Sequence, residues 1–114
     1  MLRHSDFERV YKQGRRHFAS HMTVFYLPRP QGQGLRVGFT VGRALAGAVQ
    51  RNRMKRRLRE AVRLHRLKAT VAADVVINPK KSLLVADFAE LSQQVEQAFG
   101  VIQRKLGEDR AERN

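Results

Sequence analysis

Apolar residues recur at helical spacing in the middle of the chain, between residues 48 and 67. At about 100° per residue, one side of such a helix holds Met54, Leu58, Ala61, Val62 and His65. The opposite side and its flanks hold Arg53, Lys55, Arg56, Arg57, Arg59, Arg63 and Arg66. The pattern predicts a helix that docks one face on a core and keeps a basic face in water.

Shorter patterns on either side of this helix predict strands and two further helices. Residues 21–28 are rich in β-forming side chains, residues 35–42 alternate in polarity, and residues 74–78 form an apolar run before a proline. Helical patterns occupy about residues 6–13 and the segment from residue 88 onward. Helices and strands in this order around one sheet predict an α+β two-layer sandwich.

The distribution of charge along the chain indicates the kind of binding partner. The chain carries a formal net charge of +13, and eight of the sixteen residues from 51 to 66 are Lys or Arg against one Glu. Solvated helices usually mix both signs, so this excess indicates a polyanion, most simply nucleic acid. Arg51 and Asn52 begin the helix, where unpaired N–H groups and the helix dipole also favour anions.

Length and composition predict one small domain. A chain of 114 residues at 42% hydrophobic content can bury a modest core and is not a polybasic tail. It has no cysteine and no apolar run long enough to span a membrane, which suits a cytoplasmic protein. We expect a single RNA-binding domain over residues 1–106 and a charged, disordered tail over residues 107–114.

Aromatic residues form a second candidate surface. Phe7 and Tyr11 are four residues apart and therefore share one side of the first helix, and Phe25 lies on the strand predicted to follow. Such rings can stack on the bases of single-stranded RNA, and Lys12, Arg15 and Arg16 lie close enough in sequence to hold phosphates at the rim. Packing into an ordinary core explains the same spacing equally well, and the residues alone do not decide between the two.

Enzyme chemistry is poorly represented in the chain. The ten carboxylates are scattered, and no serine has the surroundings of a nucleophile. His17 and His21 are four apart but lack a third ligand, and His65 falls on the apolar face, where a structural hydrogen bond is expected. The sequence therefore predicts no catalytic residue in the protein and leaves any protein-bound metal ion undetermined.

The stretch from Val41 to Glu60 resembles the signature of the bacterial ribonuclease P protein subunit. It reads Val-Gly-Arg-Ala-Leu-Ala-Gly-Ala-Val-Gln-Arg-Asn-Arg-Met-Lys-Arg-Arg-Leu-Arg-Glu, with the family's Ala-Val, Arg-Asn-Arg-x-Lys-Arg and Arg-Glu groups at the family's spacing. The resemblance runs from about residue 2 to 106. Many members carry a second Lys at position 44 and Gly-Asn at positions 46 and 47, so Arg43 alone supplies the charge of this loop.

The resemblance implies a fold and an activity. The implied fold has the order α-β-β-β-α-β-α, like the second domain of a small-subunit ribosomal protein, with a first strand near residues 17–20 and a left-handed β-α-β crossover. The implied activity is that of a ribonucleoprotein endoribonuclease, whose RNA subunit holds the active site and most of the catalytic Mg²⁺. The protein is not catalytic alone; it helps to remove the 5′ leader of precursor tRNA.

The same resemblance assigns residues to two RNA partners, with no membrane and no obligate protein partner. The catalytic RNA is expected to contact Arg43, Arg51, Asn52, Arg53, Lys55, Arg56, Arg57 and Arg59. The precursor tRNA leader is expected to contact Phe7, Tyr11, Lys12 and Phe25. A ribosomal or general structured-RNA-binding protein is the alternative, and it would bury Phe7 and Tyr11. DNA binding is disfavoured because no dimer seam is visible.

Overall fold

Three helices and four strands make up the chain in the computed structural model, which describes residue 2 and residues 4–113, with backbone alone at residues 4 and 108–113. The helices are α1 (His4–Gln13), α2 (Ala48–His65) and α3 (Phe88–Arg113). The strands are β1 (Arg15–Phe18), β2 (Met22–Pro28), β3 (Leu35–Phe39) and β4 (Ala73–Pro79). Short 3-10 turns lie at Arg66–Lys68 and Lys81–Leu84.

The four strands form one mixed sheet in the order β1-β2-β4-β3. β2 is antiparallel to both β1 and β4, whereas β3 runs parallel to β4. A parallel pair needs a long crossover, and α2 supplies it. The α+β class and the order α-β-β-β-α-β-α are thereby confirmed, while the left hand of the crossover stays a prediction.

The main core lies between the sheet and a layer formed by α2 and α3. Along β2 the residues alternate, and Met22, Val24 and Tyr26 are buried on this side. Phe99 of α3 and Leu58 of α2 close the core from above, each with no exposed surface. The basic helix is therefore fixed to the domain by its apolar stripe, as the spacing predicted.

The opposite face of the sheet carries the short helix α1. Val10 is fully buried there against Val76 of β4, and Phe25 and Leu27 pack around them. Because neighbouring residues of a strand point to opposite faces, Val75 belongs to the main core and Val76 to this second cluster. The sheet thus separates α1 from α2 and α3.

A buried carboxylate ties α1 to the sheet beside this second cluster. Asp74 is only 1% exposed, and Arg36 grips it with two hydrogen bonds of 2.7 and 2.8 Å. Arg9 of α1 donates to Asp74 at 3.0 Å and to Asp6 at 3.0 Å, and Arg29 approaches Asp74 at 3.3 Å. One carboxylate of β4 therefore links α1, the edge strand β3 and the loop after β2.

Several predicted boundaries differ from the structure: α1 begins two residues earlier than residue 6 and β3 ends at Phe39 and not at residue 42. The first strand, expected near residues 17–20, covers Arg15–Phe18 because it pairs with β2 from Arg15 opposite Tyr26 onward. The tail expected from residue 107 continues α3 as far as Arg113. Leu106 is the last buried residue among the described side chains of α3, so the core does not need the helical extension.

Candidate nucleic-acid interface

The basic helix α2 is seated by four buried residues: Met54, Leu58, Ala61 and Val62. Eighteen helical residues span about 27 Å at 1.5 Å per residue. Because the apolar stripe faces the sheet and α3, the remaining side chains are directed away from the core. The helix can thus lie along several phosphates of a folded RNA.

Six polar side chains at the start of α2 form what we call the basic ridge: Arg51, Asn52, Arg53, Lys55, Arg56 and Arg59. Arg51 and Lys55 are half-buried, whereas the other four are exposed. Within residues 2 and 4–113, none of these six side chains forms a hydrogen bond or an ion pair. The donors of the ridge are therefore available to an external anion.

The amino end of α2 adds further donors to the ridge. Gly47 is the N-cap with extended backbone, and it provides no side-chain hydrogen bond to the first turn. The first turn contains no acidic residue either, so its N–H groups and the positive end of the helix dipole are left for an anion. Arg43, in the loop before the helix, is exposed and likewise lacks a recorded partner within the described chain.

Arg57 differs from its predicted role. Its guanidinium turns away from the ridge and donates to the carbonyl oxygens of Leu83 at 2.5 Å and Leu84 at 3.3 Å, and also to that of Ala86. These carbonyls belong to the turn between β4 and α3, which lacks regular partners for them. The structure thus gives Arg57 an internal role, and its contact with the catalytic RNA stays a prediction.

The single acid of α2 does not neutralise the ridge. Glu60 accepts two hydrogen bonds from Arg63, one turn farther along, at 2.5 and 3.1 Å. These bonds, together with the charge of Arg63, lower the pKa of Glu60. The acid is therefore committed to a local pair near the end of the helix, and the first three turns keep their full positive charge.

Three rings meet on the α1 side of the sheet, and we call Phe7, Tyr11 and Phe25 the aromatic surface. The rings of Tyr11 and Phe25 contact edge to face with centroids 4.9 Å apart. The Arg16 guanidinium lies over Phe25 at 5.3 Å from the ring centroid, a cation–π contact. All three rings are half-buried, so they pack on the second cluster and still offer surface to a ligand.

The hydroxyl of Tyr11 is fixed by two polar neighbours. It lies 2.6 Å from the Thr40 hydroxyl and 2.8 Å from Asn78 Oδ1. A phenol has one proton, so it donates to the Asn78 oxygen and accepts from Thr40. The Asn78 amide nitrogen and the outer lone pairs of Thr40 are then left beside the ring, where a base edge can reach them.

Phe7 lies directly over the sheet at Gly38. A Cβ at Gly38 would be 2.6 Å from Cζ of Phe7, so only glycine allows the ring to approach this closely. Lys12, in the last turn of α1, is exposed. The structure thus gathers the predicted leader residues on one side of the sheet, where Phe7 and Tyr11 come from α1 and Phe25 from β2.

Sequence reasoning placed Arg16 at the rim of this surface but missed its contact with Phe25, and it missed Asn78 altogether. Arg16 reaches Phe25 because the two residues are direct partners in the β1–β2 register. Asn78 faces Tyr11 because it is one of the residues of β4 on the α1 face. Neither contact has a local signal, since strand register depends on partners far apart in the sequence.

His65 forms the structural hydrogen bond expected of it. His65 Nε2 is 2.7 Å from the Ser92 hydroxyl, and its Nδ1 lies 3.3 Å from Glu96 without hydrogen-bond geometry. Among the described residues, no group of three or more His, Asp or Glu side chains is placed to hold a metal ion. The same part of the chain contains no helix that is long and apolar enough to cross a membrane.

An α+β domain with a basic helix on one layer and an aromatic surface behind the sheet defines a class of small proteins suited to RNA. Comparison with known proteins specifies the class. The family model for ribonuclease P matches residues 1–103, and the chain belongs to this family.

Relatives and solved structures agree with this assignment. The ribonuclease P protein component of Symbiobacterium thermophilum is 42% identical over 102 residues, covering 87% of this chain and 89% of the relative. That of Geobacter sp. is 36% identical and covers 92% and 89%. The RNase P protein of Thermotoga maritima superimposes with a TM-score of 0.77 at 25% identity over 87% of this chain and 96% of that one.

Proposed function

We propose that this chain, as the protein subunit of ribonuclease P, binds the ribonuclease P RNA through the basic ridge and the precursor tRNA leader through the aromatic surface. The observation that carries the proposal is the separation of these two surfaces by the sheet. α2 packs on one face and α1 on the other. Two RNA molecules can therefore be held at once without competing for the same side chains.

The basic ridge suits a large folded RNA. Its cations lie along one helix, and within the described chain none of them is neutralised by an acid. Each phosphate that they contact releases counterions, which favours binding without reading a sequence. Neutralisation of this kind also allows two polyanions, the RNA subunit and the precursor, to approach each other.

The aromatic surface suits a flexible single strand. Bases stack on aromatic faces at roughly 1–3 kcal/mol each, with little dependence on sequence. The leader sequence differs among precursors. A surface that binds by shape and stacking therefore suits the leader better than one that recognises the edges of particular bases. Binding the leader favours precursor over product, because mature tRNA has no leader to contribute.

The half-exposed rings also bear on the ribosomal alternative. A protein that only stabilised structured RNA would have no use for an aromatic surface, and its rings would be buried. Phe7 and Tyr11 instead keep part of their surface in solvent. Together with the match to the ribonuclease P family over residues 1–103, this favours the processing subunit.

Catalysis is assigned to the RNA partner. The described residues offer no cluster of metal ligands, so we infer that the Mg²⁺ ions of the reaction are held mainly by the RNA subunit. The chain's own residues bind and position the substrate, which contributes to rate through orientation. We infer a cytoplasmic site of action, where precursor tRNA is processed.

The proposal is tested with holoenzyme reconstituted from this chain and its cognate ribonuclease P RNA. Phe25→Ala should weaken the affinity for precursor tRNA by about 5- to 150-fold, the equivalent of roughly 1–3 kcal/mol for one lost stack. Its affinity for mature tRNA should be unchanged. Equal losses on both tRNAs in a folded variant would refute leader binding by this surface.

Two controls accompany this measurement. Val85→Ala removes a side chain that is 86% exposed and lies in the turn before α3, away from the aromatic surface, and it should bind both tRNAs as the parent does. The protein alone, with Mg²⁺ but without RNA subunit, should not cleave the precursor. Cleavage by the protein alone would contradict the assignment of the active site to RNA.

A further inference from the structure

The ring of Phe18 is open to solvent at the end of β1. It is 68% exposed, whereas Phe7 and Phe25 are half-buried and Phe99 is fully buried. A phenylalanine on an edge strand in this state exposes apolar surface without gaining core contacts. Exposed apolar side chains are common on protein surfaces, and what distinguishes Phe18 is that it is aromatic and close to the other rings.

Strand register places Phe18 on the same side of the sheet as the aromatic surface. Phe18 is opposite Thr23 and Arg16 is opposite Phe25 in the β1–β2 pair. Directly opposed residues share a face, so Phe18 and Phe25 are diagonal neighbours on the α1 side, roughly 7–8 Å apart. His17, between Arg16 and Phe18, points to the other side.

The surface of the sheet beside Phe18 is polar. Thr23 is flanked by Phe18 on β1 and by Asn78 on β4. Asn78 gives its oxygen to Tyr11, which leaves its amide nitrogen to donate. A row that runs from an open ring over a hydroxyl to an amide donor resembles a base-binding surface, with a stacking face at one end and hydrogen-bonding groups alongside.

The surrounding charge indicates what occupies this row. Arg16 lies between Phe18 and the aromatic surface, with its guanidinium over Phe25, and Lys12 is exposed in the last turn of α1. Cations next to rings favour an anionic backbone that carries flat bases. An apolar peptide would gain little from the cations, and a duplex would not open its bases to the rings.

We propose that Phe18 is an additional stacking position for one unpaired base of the precursor tRNA leader and that Arg16 holds a phosphate next to it. This inference rests on leader binding by the aromatic surface and extends it by one nucleotide along the sheet toward β1. The stacking is independent of base identity, so Phe18 would lengthen the bound leader without making it sequence-specific.

The test uses reconstituted holoenzyme and precursor tRNAs whose leaders are shortened one nucleotide at a time. Phe18→Ala should weaken precursor affinity by about 5- to 150-fold for long leaders, since one stack contributes roughly 1–3 kcal/mol. The loss should vanish below a particular leader length and be absent for mature tRNA. Phe18→Tyr, which keeps a ring, should restore affinity.

A second measurement locates the base. In a double-mutant cycle, an abasic nucleotide is moved through the leader and combined with Phe18→Ala. At one position the two losses should not add, because both changes remove the same stack. Additive losses at every position would refute the proposal, as would unchanged affinity of Phe18→Ala for all leaders.

Tyr11→Ala measured in parallel separates the two hypotheses. If Tyr11→Ala loses affinity for precursor alone while Phe18→Ala loses none, leader binding holds and the extension to β1 is wrong. If neither variant loses more affinity for precursor than for mature tRNA, the hypothesis of leader binding by the aromatic surface is itself wrong. The exposure of Phe18 predicts an unchanged melting temperature for its variants, so misfolding does not obscure the result.

Discussion

The ring of Tyr11 meets the ring of Phe25 edge to face, at an interplanar angle of 87°. At the same time its hydroxyl bonds to Asn78 and Thr40. Tyr11 therefore has two separable parts: a ring that belongs to the aromatic surface, and a hydroxyl that joins α1 to the far ends of β3 and β4. The two parts predict different consequences when they are removed one at a time.

Tyr11→Phe keeps the ring and removes only the hydroxyl. We expect a loss of about 0.5–1.5 kcal/mol in the free energy of unfolding, the usual net contribution of a hydrogen bond, and little change in precursor affinity. Urea denaturation and tRNA binding to the holoenzyme measure the two effects. A large loss of precursor affinity with Tyr11→Phe would show that the hydroxyl, and not the stacking face, recognises the leader.

The basic ridge predicts how binding to ribonuclease P RNA depends on salt concentration. Replacing Arg53 and Lys55 by alanine should weaken binding to ribonuclease P RNA and make the slope of log K against log salt shallower by roughly 0.7–0.9 for each lost phosphate contact. Binding measured at several salt concentrations gives this slope. Arg63→Ala is the comparison, because Arg63 is already paired with Glu60 and should change the slope less. An unaltered slope for the double variant would exclude the ridge from the RNA contact.

Arg56 and Arg57 are neighbours in the sequence with opposite expected behaviour. Arg56→Ala should leave stability unchanged and make the salt slope shallower. Arg57→Ala should cost about 1.5–3 kcal/mol of stability, the range for hydrogen bonds to charged groups, because the carbonyls of Leu83 and Ala86 lose their donor. Melting curves and salt titrations on both variants check the contrast, and a stable Arg57→Ala with weakened RNA binding would return this residue to the ridge.

Periodicity predicted α2 well because its signal is local. The apolar stripe from Met54 to Val62 repeats at helical spacing, and the helix runs from Ala48 to His65, within two residues of the expected limits. The basic face followed directly, since residues not on the stripe must point outward. The positions of the ridge residues on the outer side of α2 could therefore be predicted from the sequence, and their contact with RNA stays a prediction.

The features that could not be predicted come from contacts between distant parts of the chain. Arg57 has the same spacing as the ridge residues, and only the turn that closes on it after β4 gives it internal hydrogen bonds that they lack. Phe18 and Arg16 join the α1 face through strand register, which a one-residue slip would reverse. The partners of Asp74 lie 38 to 65 residues away, so no local pattern indicates the cluster.

The buried carboxylate of Asp74 predicts how the stability of the fold changes at acidic pH. Burial raises the pKa of this carboxyl, but hydrogen bonds and charge from Arg36, and then from Arg29, outweigh burial and lower it overall. A lowered folded-state pKa stabilises the fold above the unfolded-state pKa, roughly 3.9 for aspartate. This stability is lost as the pH falls from there through the folded-state pKa.

Asp74→Asn keeps the shape and removes the charge, leaving the three arginines with no buried counterion. We expect a loss of about 3 kcal/mol at neutral pH, the low end for a broken buried pair, because Arg9 and Arg36 remain partly solvated. Its unfolding free energy should also fall less steeply than that of the parent below about pH 4. Glu60→Gln, which removes an exposed carboxylate, should change neutral-pH stability far less. Urea denaturation across this pH range measures all three proteins, and parallel curves for Asp74→Asn and the parent would show that the cluster contributes nothing to acid sensitivity.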